Sequence, residues 1–177
     1  GQPGFLPLLQ FTLTELFDRR DGDRITTETL ASVGGIAGAI GRRADDAFSQ
    51  LDAHGQLAAR ELFGRLVLPG DGQPDTRRRA RRSELSPQVE AVAEHFVAGR
   101  LRVIDREPDS REPTFEVAHE TLFDSWPRLR RWIDEDRTWL LQRDHLERVA
   151  TQWDEAGQPD SELYRGARLE AAIEALE

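Results

Sequence analysis

Between Leu101 and Val117 the spacing of apolar residues changes from a helical period to alternation, and this change constrains the fold more than any other feature of the chain. Leu101, Val103 and Asp105 alternate with Arg102 and Ile104. After a loop from Arg106 to Pro113, Phe115 and Val117 alternate with Thr114 and Glu116. Two short runs of period 2 around a Pro-bounded loop read as a β-hairpin. On either side of it the apolar residues recur at helical spacing, so the fold class is mainly α with one hairpin.

Upstream, Leu9, Leu13 and Leu16 fall at i, i+4 and i+7 within a segment from Phe5 to Phe17, and Asp21-Gly22-Asp23 supplies a turn. Thr26 or Thr27 caps a short helix carrying Leu30 and Val33 before Gly34-Gly35. A longer helix follows with Ile36, Ile40, Ala44, Ala47, Phe48 and Leu51 in register. Gly38 and Gly41 lie inside it, each costing about 1 kcal/mol of helix propensity relative to Ala. They make sense there if another backbone packs close. These pieces form a helical lid bundle over residues 1–53.

The second unit, residues 54–122, starts with an amphipathic helix bearing Leu57, Ala58, Leu62, Phe63, Leu66 and Val67, which Pro69-Gly70 ends. A polar loop then leads into Arg77-Arg78-Arg79-Ala80-Arg81-Arg82. Ser86-Pro87 opens the next helix, Ser as cap and Pro at the first helical position, where its missing N–H costs nothing. Val89, Val92, Ala93, Phe96 and Val97 form its apolar face, and Gly99 is placed to end it. Helix, basic loop, helix and hairpin is the order of a winged helix-turn-helix, with the hairpin as the wing. Leading into the connector, residues 123–177, Leu122 shares a face with Trp126, Leu129 and Ile133, with Pro127 kinking or restarting the helix. Leu146, Val149 and Trp153 mark another helix, stopped by Gly157 and Pro159, and Ser161 caps a last one with Leu169, Ala172, Ile173 and Leu176.

Composition narrows the chemistry. There is no Cys, hence no disulfide framework, thiolate zinc site or cysteine nucleophile. All 24 basic residues are Arg, so a Walker A lysine and Schiff-base chemistry are excluded. The net charge of −9 repels polyanions at long range and speaks against nucleic acid as a general partner. With no Met at its start and no apolar run near the ~20 residues that span a bilayer, the chain reads as a cytoplasmic piece of a longer protein.

Several constellations give way to plainer readings. His119-Glu120-Thr121-Leu122-Phe123 begins like a zinc-protease motif, but Phe123 stands where the second metal-binding His is required. His54, His95 and His145 have no ligand-like partners at helical spacing. Gly35, Gly38 and Gly41 follow no strand and precede no Lys, so helix packing outweighs a phosphate loop. Asp134-Glu135-Asp136 diverge by about 100° per residue on a helix and read as a solvated face rather than a metal or catalytic pair. No nucleophile–base pair or metal-ligand set emerges, so neither catalytic nor metal-binding residues are assigned. Arg77, Arg78, Arg79, Arg81 and Arg82 are candidate anion or interface contacts, and a DNA-binding winged helix using this run is the alternative function. Glu90 and Glu94 on the following helix oppose that alternative. His119, between the second hairpin strand and the next helix, either caps that helix or meets an anion at its N-terminus.

Five stretches together resemble a known family. They are Gly4-Phe5-Leu6-Pro7-Leu8-Leu9-Gln10-Phe11, Val33-Gly34-Gly35-Ile36-Ala37-Gly38-Ala39, the run from Thr76 to Leu85, Val117-Ala118-His119-Glu120-Thr121-Leu122 with Trp126-Pro127 and Leu129, and Leu163-Tyr164-Arg165-Gly166-Ala167-Arg168-Leu169. They are similar to the novel STAND NTPases, bacterial signalling ATPases related to the NACHT and NB-ARC families and often fused to WD-repeat propellers. The resemblance implies a regulatory, non-catalytic region between an upstream P-loop ATPase domain and downstream sensor repeats. It implies a switch in which the winged helix closes on ADP bound by the core, and in which exchange for ATP releases the parent to form a homo-oligomer. The stretch Val117-Ala118-His119-Glu120 resembles the family's Met-His-Asp motif, which gives His119 contact with the ADP β-phosphate and leaves Glu120 as a helper; Ala118 and Glu120 replace the motif's Met and Asp. Pro7 resembles the Pro of the family's Gly-x-Pro motif, which packs on adenine, with one extra residue after Gly4.

Overall fold

The computed structural model describes residues 13–14, 16–17, 20, 22–28, 35–98, 101–106 and 112–174. Pro7, Leu9, Leu30, Val33, Gly99 and Leu176, each used in the sequence reading, lie outside the described residues.

Two helices form the first layer. Helix α1, Gly35–Ser49, turns Ile40, Ala44, Ala47 and Phe48 inward. Helix α2, Ala53–Leu66, starts at Asp52, whose carboxylate accepts the Gly55 N–H at 2.7 Å and so satisfies one of the helix's free donors. Its buried face is Ala58, Ala59, Leu62, Phe63 and Leu66; Leu57, expected on that face, is 70% exposed instead. Val67, also expected on the helix, already belongs to strand β1, Val67–Leu68. That strand pairs antiparallel with β2, Thr76–Arg77, so the Pro69-Gly70 stop closes a two-stranded ribbon rather than a plain loop.

The expected hairpin is present and is part of a larger sheet. Strands β4, Arg102–Arg106, and β5, Pro113–Val117, pair antiparallel, and β3, Ala80–Arg81, joins the other edge of β5 to give the order β3-β5-β4. The arginine run, expected as a loop, therefore threads two strands. Between β3 and β4 lies α3, Pro87–Ala98, with Val89 N–H donating to Ser86 Oγ at 3.3 Å, as the Ser-Pro start predicts. Its Val89, Val92, Ala93 and Phe96 are buried against the same core as α2 and β5.

Pro127 restarts the helix rather than kinking it. Helix α4, Thr121–Ser125, stops at Trp126, and α5, Pro127–Glu155, begins with the proline in its first turn. The residue before a proline is pushed out of helical geometry, and Trp126 has φ −106° and ψ 98°. This break swings the indole into the centre of the molecule, where it is fully buried and meets Phe48, Phe63, Phe96 and Trp132 at centroid separations of 5.1–6.1 Å. Such tilted and edge-on pairs add about 0.5–1.5 kcal/mol each beyond burial. The indole N–H donates to Asp45 Oδ1 at 3.1 Å, so its polar edge is satisfied from α1.

Two further expectations are corrected. The helices read separately around Ile133 and around Leu146 are one 29-residue helix, because no Gly or Pro interrupts residues 128–155. Ser161 does not cap the final helix; it lies in a single 3₁₀ turn, Asp160–Glu162, and α6, Ala167–Glu174, starts after Gly166 at φ +52°. At Gly41 the close backbone approach anticipated from sequence is present: a Cβ there would lie 1.9 Å from the Ser125 carbonyl oxygen. Among the described residues no helix is long and apolar enough to cross a membrane.

Candidate functional site

His119 stands where β5 hands the chain to α4. The Ala118 N–H donates to the Leu101 carbonyl at 3.2 Å, closing the base of the hairpin, and the next two residues turn into the helix. The His119 carbonyl accepts from Leu122 N–H at 3.0 Å and the Glu120 carbonyl from Phe123 N–H at 2.9 Å. Those two N–H groups are therefore turned inward, and a five-residue helix sums few peptide dipoles. What the position offers an anion is the imidazole itself together with its neighbour Arg77. The ring is half-buried and makes no hydrogen bond among the described residues. Burial first, and then the Arg77 charge, hold its pKa below the usual histidine value, so it is neutral at pH 7.

Arg77 reaches this corner from β2. Its Nε lies 3.4 Å from Glu120 Oε1 and its Nη1 3.7 Å from Glu116 Oε1. The rest of the run is divided among several acidic partners, and only Arg77 and Arg81 of it lie in strands. Arg79 pairs with Glu116 at 3.5 Å. Arg78, only 17% exposed, turns under the ribbon to the Arg65 carbonyl at 2.9 Å and to Glu84 and Glu147 at 3.0 and 2.9 Å. The Arg81 N–H donates to Glu84 Oε1, and Arg82 pairs with Glu90. Arg78, Arg79 and Arg81 also line a groove of about 600 Å³ facing Glu147 and Thr151 on α5. Of the two residues that the resemblance assigned to nucleotide, His119 is placed beside Arg77, while Pro7 lies outside the described residues.

The sequence reading missed the acidic partners that organise these cations. The most buried is Asp75, at 4% side-chain exposure. Its carboxylate accepts from Arg137 at 2.9 and 3.0 Å, from Arg130 at 3.3 Å and from the Gly70 N–H at 3.0 Å. Burial alone would raise its pKa, but the Arg137 hydrogen bonds, the Gly70 N–H and the two guanidinium charges outweigh it and lower the value. The signal was available: Arg130 and Arg137 are seven residues apart on one helix face, two turns that need an acid opposite. Asp134, Glu135 and Asp136 likewise do not form a bare solvated face. Glu135 and Asp136 grip Arg60 at 2.9 and 2.8 Å, and Asp134 pairs with Arg130 and Arg137. His95 Nε2 lies 3.0 Å from the Ala47 carbonyl and ties α3 to α1, whereas His54 and His145 are exposed. Among the described residues no group of three His, Asp or Glu side chains is arranged to hold a metal ion.

The site therefore lies in a mainly helical body with a small three-stranded sheet, at a half-buried histidine beside an arginine where that sheet meets a helix. The family model described as Novel STAND NTPase 1 matches residues 1–161, and the chain belongs to that family. No curated protein and no solved structure matches the chain.

Proposed function

We propose that this chain is the regulatory region of a STAND signalling NTPase, in which a winged helix closes on ADP held by a P-loop core elsewhere in the parent. In this reading it controls nucleotide exchange and the assembly of the parent into a homo-oligomer, while sensor repeats downstream supply the signal. The winged-helix part rests on the order β3-β5-β4, with α2 and α3 packed on the same core and the β4–β5 hairpin as the wing. The observation that carries the switch is the His119 ring, half-buried, neutral and without a hydrogen bond among the described residues, next to Arg77. A neutral imidazole there can donate to a phosphate oxygen and gain a proton as the anion arrives. The chain contributes no lysine, so hydrolysis belongs to the core and this region acts without being an enzyme.

The ion pairs of the arginine run count against the DNA-binding alternative. Arg77, Arg78, Arg79 and Arg82 each sit on a glutamate, and a phosphate backbone would have to displace those partners. The test of the switch is a ring titration of His119 by NMR in the parent protein, with and without ADP. Upward displacement of its pKa by ADP supports phosphate contact; an unchanged value returns His119 to a purely structural role. Titration of duplex DNA at 50 mM salt tests the alternative, with no salt-dependent binding expected.

A further inference from the structure

Past α5 the chain doubles back. Gly157 at φ +80° and Gln158 at φ +61° place two left-handed residues in succession, and the Gln158 N–H returns to the Trp153 carbonyl at 2.9 Å, which stops the helix. The Trp153 indole N–H donates to the Pro159 carbonyl at 3.1 Å and holds the returning segment. Tyr164 and α6 then lie alongside the second half of α5, and a pocket of about 360 Å³ is open between them. Much of its lining is apolar, with Leu141 and Leu146 from α5 and Ala171 and Ala172 from α6. Arg168 joins the two alanines at helical spacing, so all three project from one face of α6.

The rest of the lining is polar and includes His145, Tyr164 and Arg168. Among the described residues none of these three makes a hydrogen bond or an ion pair. Arg168 is exposed, and its one partner there is the half-buried Tyr164 ring, whose centroid lies 3.8 Å from the guanidinium carbon. Stacking restrains the guanidinium yet leaves its in-plane N–H donors open, a fork ready for a planar acceptor. Elsewhere Arg60, Arg78 and Arg137 each sit on carboxylates, but no carboxylate lines this pocket, and the Arg168 charge is left uncancelled. A single cation at the wall of an apolar pocket matches a ligand with one anionic head and a compact apolar body. The volume lies near the lower end of the ~300–1,000 Å³ typical of small-molecule pockets. Glu170 and Glu174 on the same short helix would repel a protein segment bearing several carboxylates, which favours a small monoanion.

We propose that the pocket between α5 and α6 binds a small amphipathic monocarboxylate. The carboxylate meets the Arg168 fork, with the His145 ring N–H as a second donor, and the apolar body lies among Leu141, Leu146, Ala171 and Ala172. Tyr164 is a positioning residue that holds the guanidinium. The site uses none of the residues of the His119 corner and stands independently of the nucleotide reading.

The test is titration of the 177-residue chain with octanoate, kept below its micelle-forming concentration and followed by amide NMR shifts. Octanoate should move the amides of residues 141–146 and 164–172 saturably, and it should bind about tenfold more weakly to Arg168→Gln. Octanol, which has the same chain and no charge, should bind the wild type no better than octanoate binds that variant. Ala171→Leu, at an exposed helical position, fills the pocket and should abolish saturable binding. Leu169→Gln and Ile173→Gln remove exposed apolar surface outside the pocket and should leave binding unchanged, as should His119→Ala. The proposal is overturned if octanoate gives no saturable shifts at 10 mM, if octanol binds the wild type as tightly, or if Arg168→Gln binds octanoate as well as the wild type does. It is also overturned if these amides respond only to a peptide rich in Leu and Glu, which would make the face a protein-docking surface. Shifts that follow protein concentration and not octanoate would overturn it as well, by assigning the face to a second copy of the chain.

Discussion

The two halves of α5 are held to the molecule by different chemistry. In the first half Leu129, Ile133 and Leu140 are buried in the main hydrophobic core. In the second half Arg143 takes over. It is 7% exposed, donates to the Gly64 carbonyl at 2.8 Å and the Val67 carbonyl at 3.3 Å, and so closes the C-terminal end of α2 from outside. Glu147 then holds Arg78. Beyond it the bonds are local, such as Thr151 to the Glu147 carbonyl and the Trp153 indole to the Pro159 carbonyl, and α6 buries no residue at all. The helix passes from apolar burial through charged clamps to a solvated arm. The difference teaches that the contacts holding this helix grade from apolar burial to charged clamps to solvent.

Removing either anchor tests that gradient. Trp126→Ala empties the centre and should cost about 3–5 kcal/mol, read as a lower midpoint in urea denaturation. An unchanged midpoint would mean that the cluster is not the organising core. Asp75→Asn leaves Arg137 and Arg130 facing a neutral group and should cost about 2–4 kcal/mol. The same carboxylate gives a pH dependence. Its pKa is lowered in the folded chain, so its stabilisation is complete above the ordinary value of 3.8 and disappears as pH falls through the lower, folded value. Asp75→Asn should flatten that part of the acid-unfolding curve. Gly41→Ala forces apart the α1 backbone and the Ser125 carbonyl and should cost about 1–3 kcal/mol, with shifts in the amides flanking Trp126.

Much of this could be read in advance from spacing alone. The switch to period 2 located the hairpin, the Ser-Pro pair located the start of α3, and the helical glycines announced the close approach at Gly41. What could not be read depended on partners far apart in sequence. The arginine run looks like one basic patch until glutamates distant in sequence, Glu116, Glu120 and Glu147 among them, meet its side chains one by one. The long helix was divided because its apolar stripe fades after Leu140, where Arg143 does the work of a core residue. His119 drew attention by resemblance and by its place at a helix start, where the Leu122 and Phe123 N–H groups bond back to His119 and Glu120.

The solvated end supplies the smaller effects. Amides of α6 should exchange faster with solvent than those of α2 and α3, and comparable protection would erase the gradient. Arg148→Ala, which removes the exposed partner of Asp144, should change stability by no more than about 0.5 kcal/mol.

The central claim is tested most directly by the nucleotide content of the purified parent protein, wild type beside His119→Ala, after denaturing release and chromatography. The switch requires ADP near one equivalent in the wild type and a clear loss in the variant, accompanied by more oligomer. Equal ADP in both proteins would contradict the role given to His119, and no nucleotide in either would contradict the switch itself.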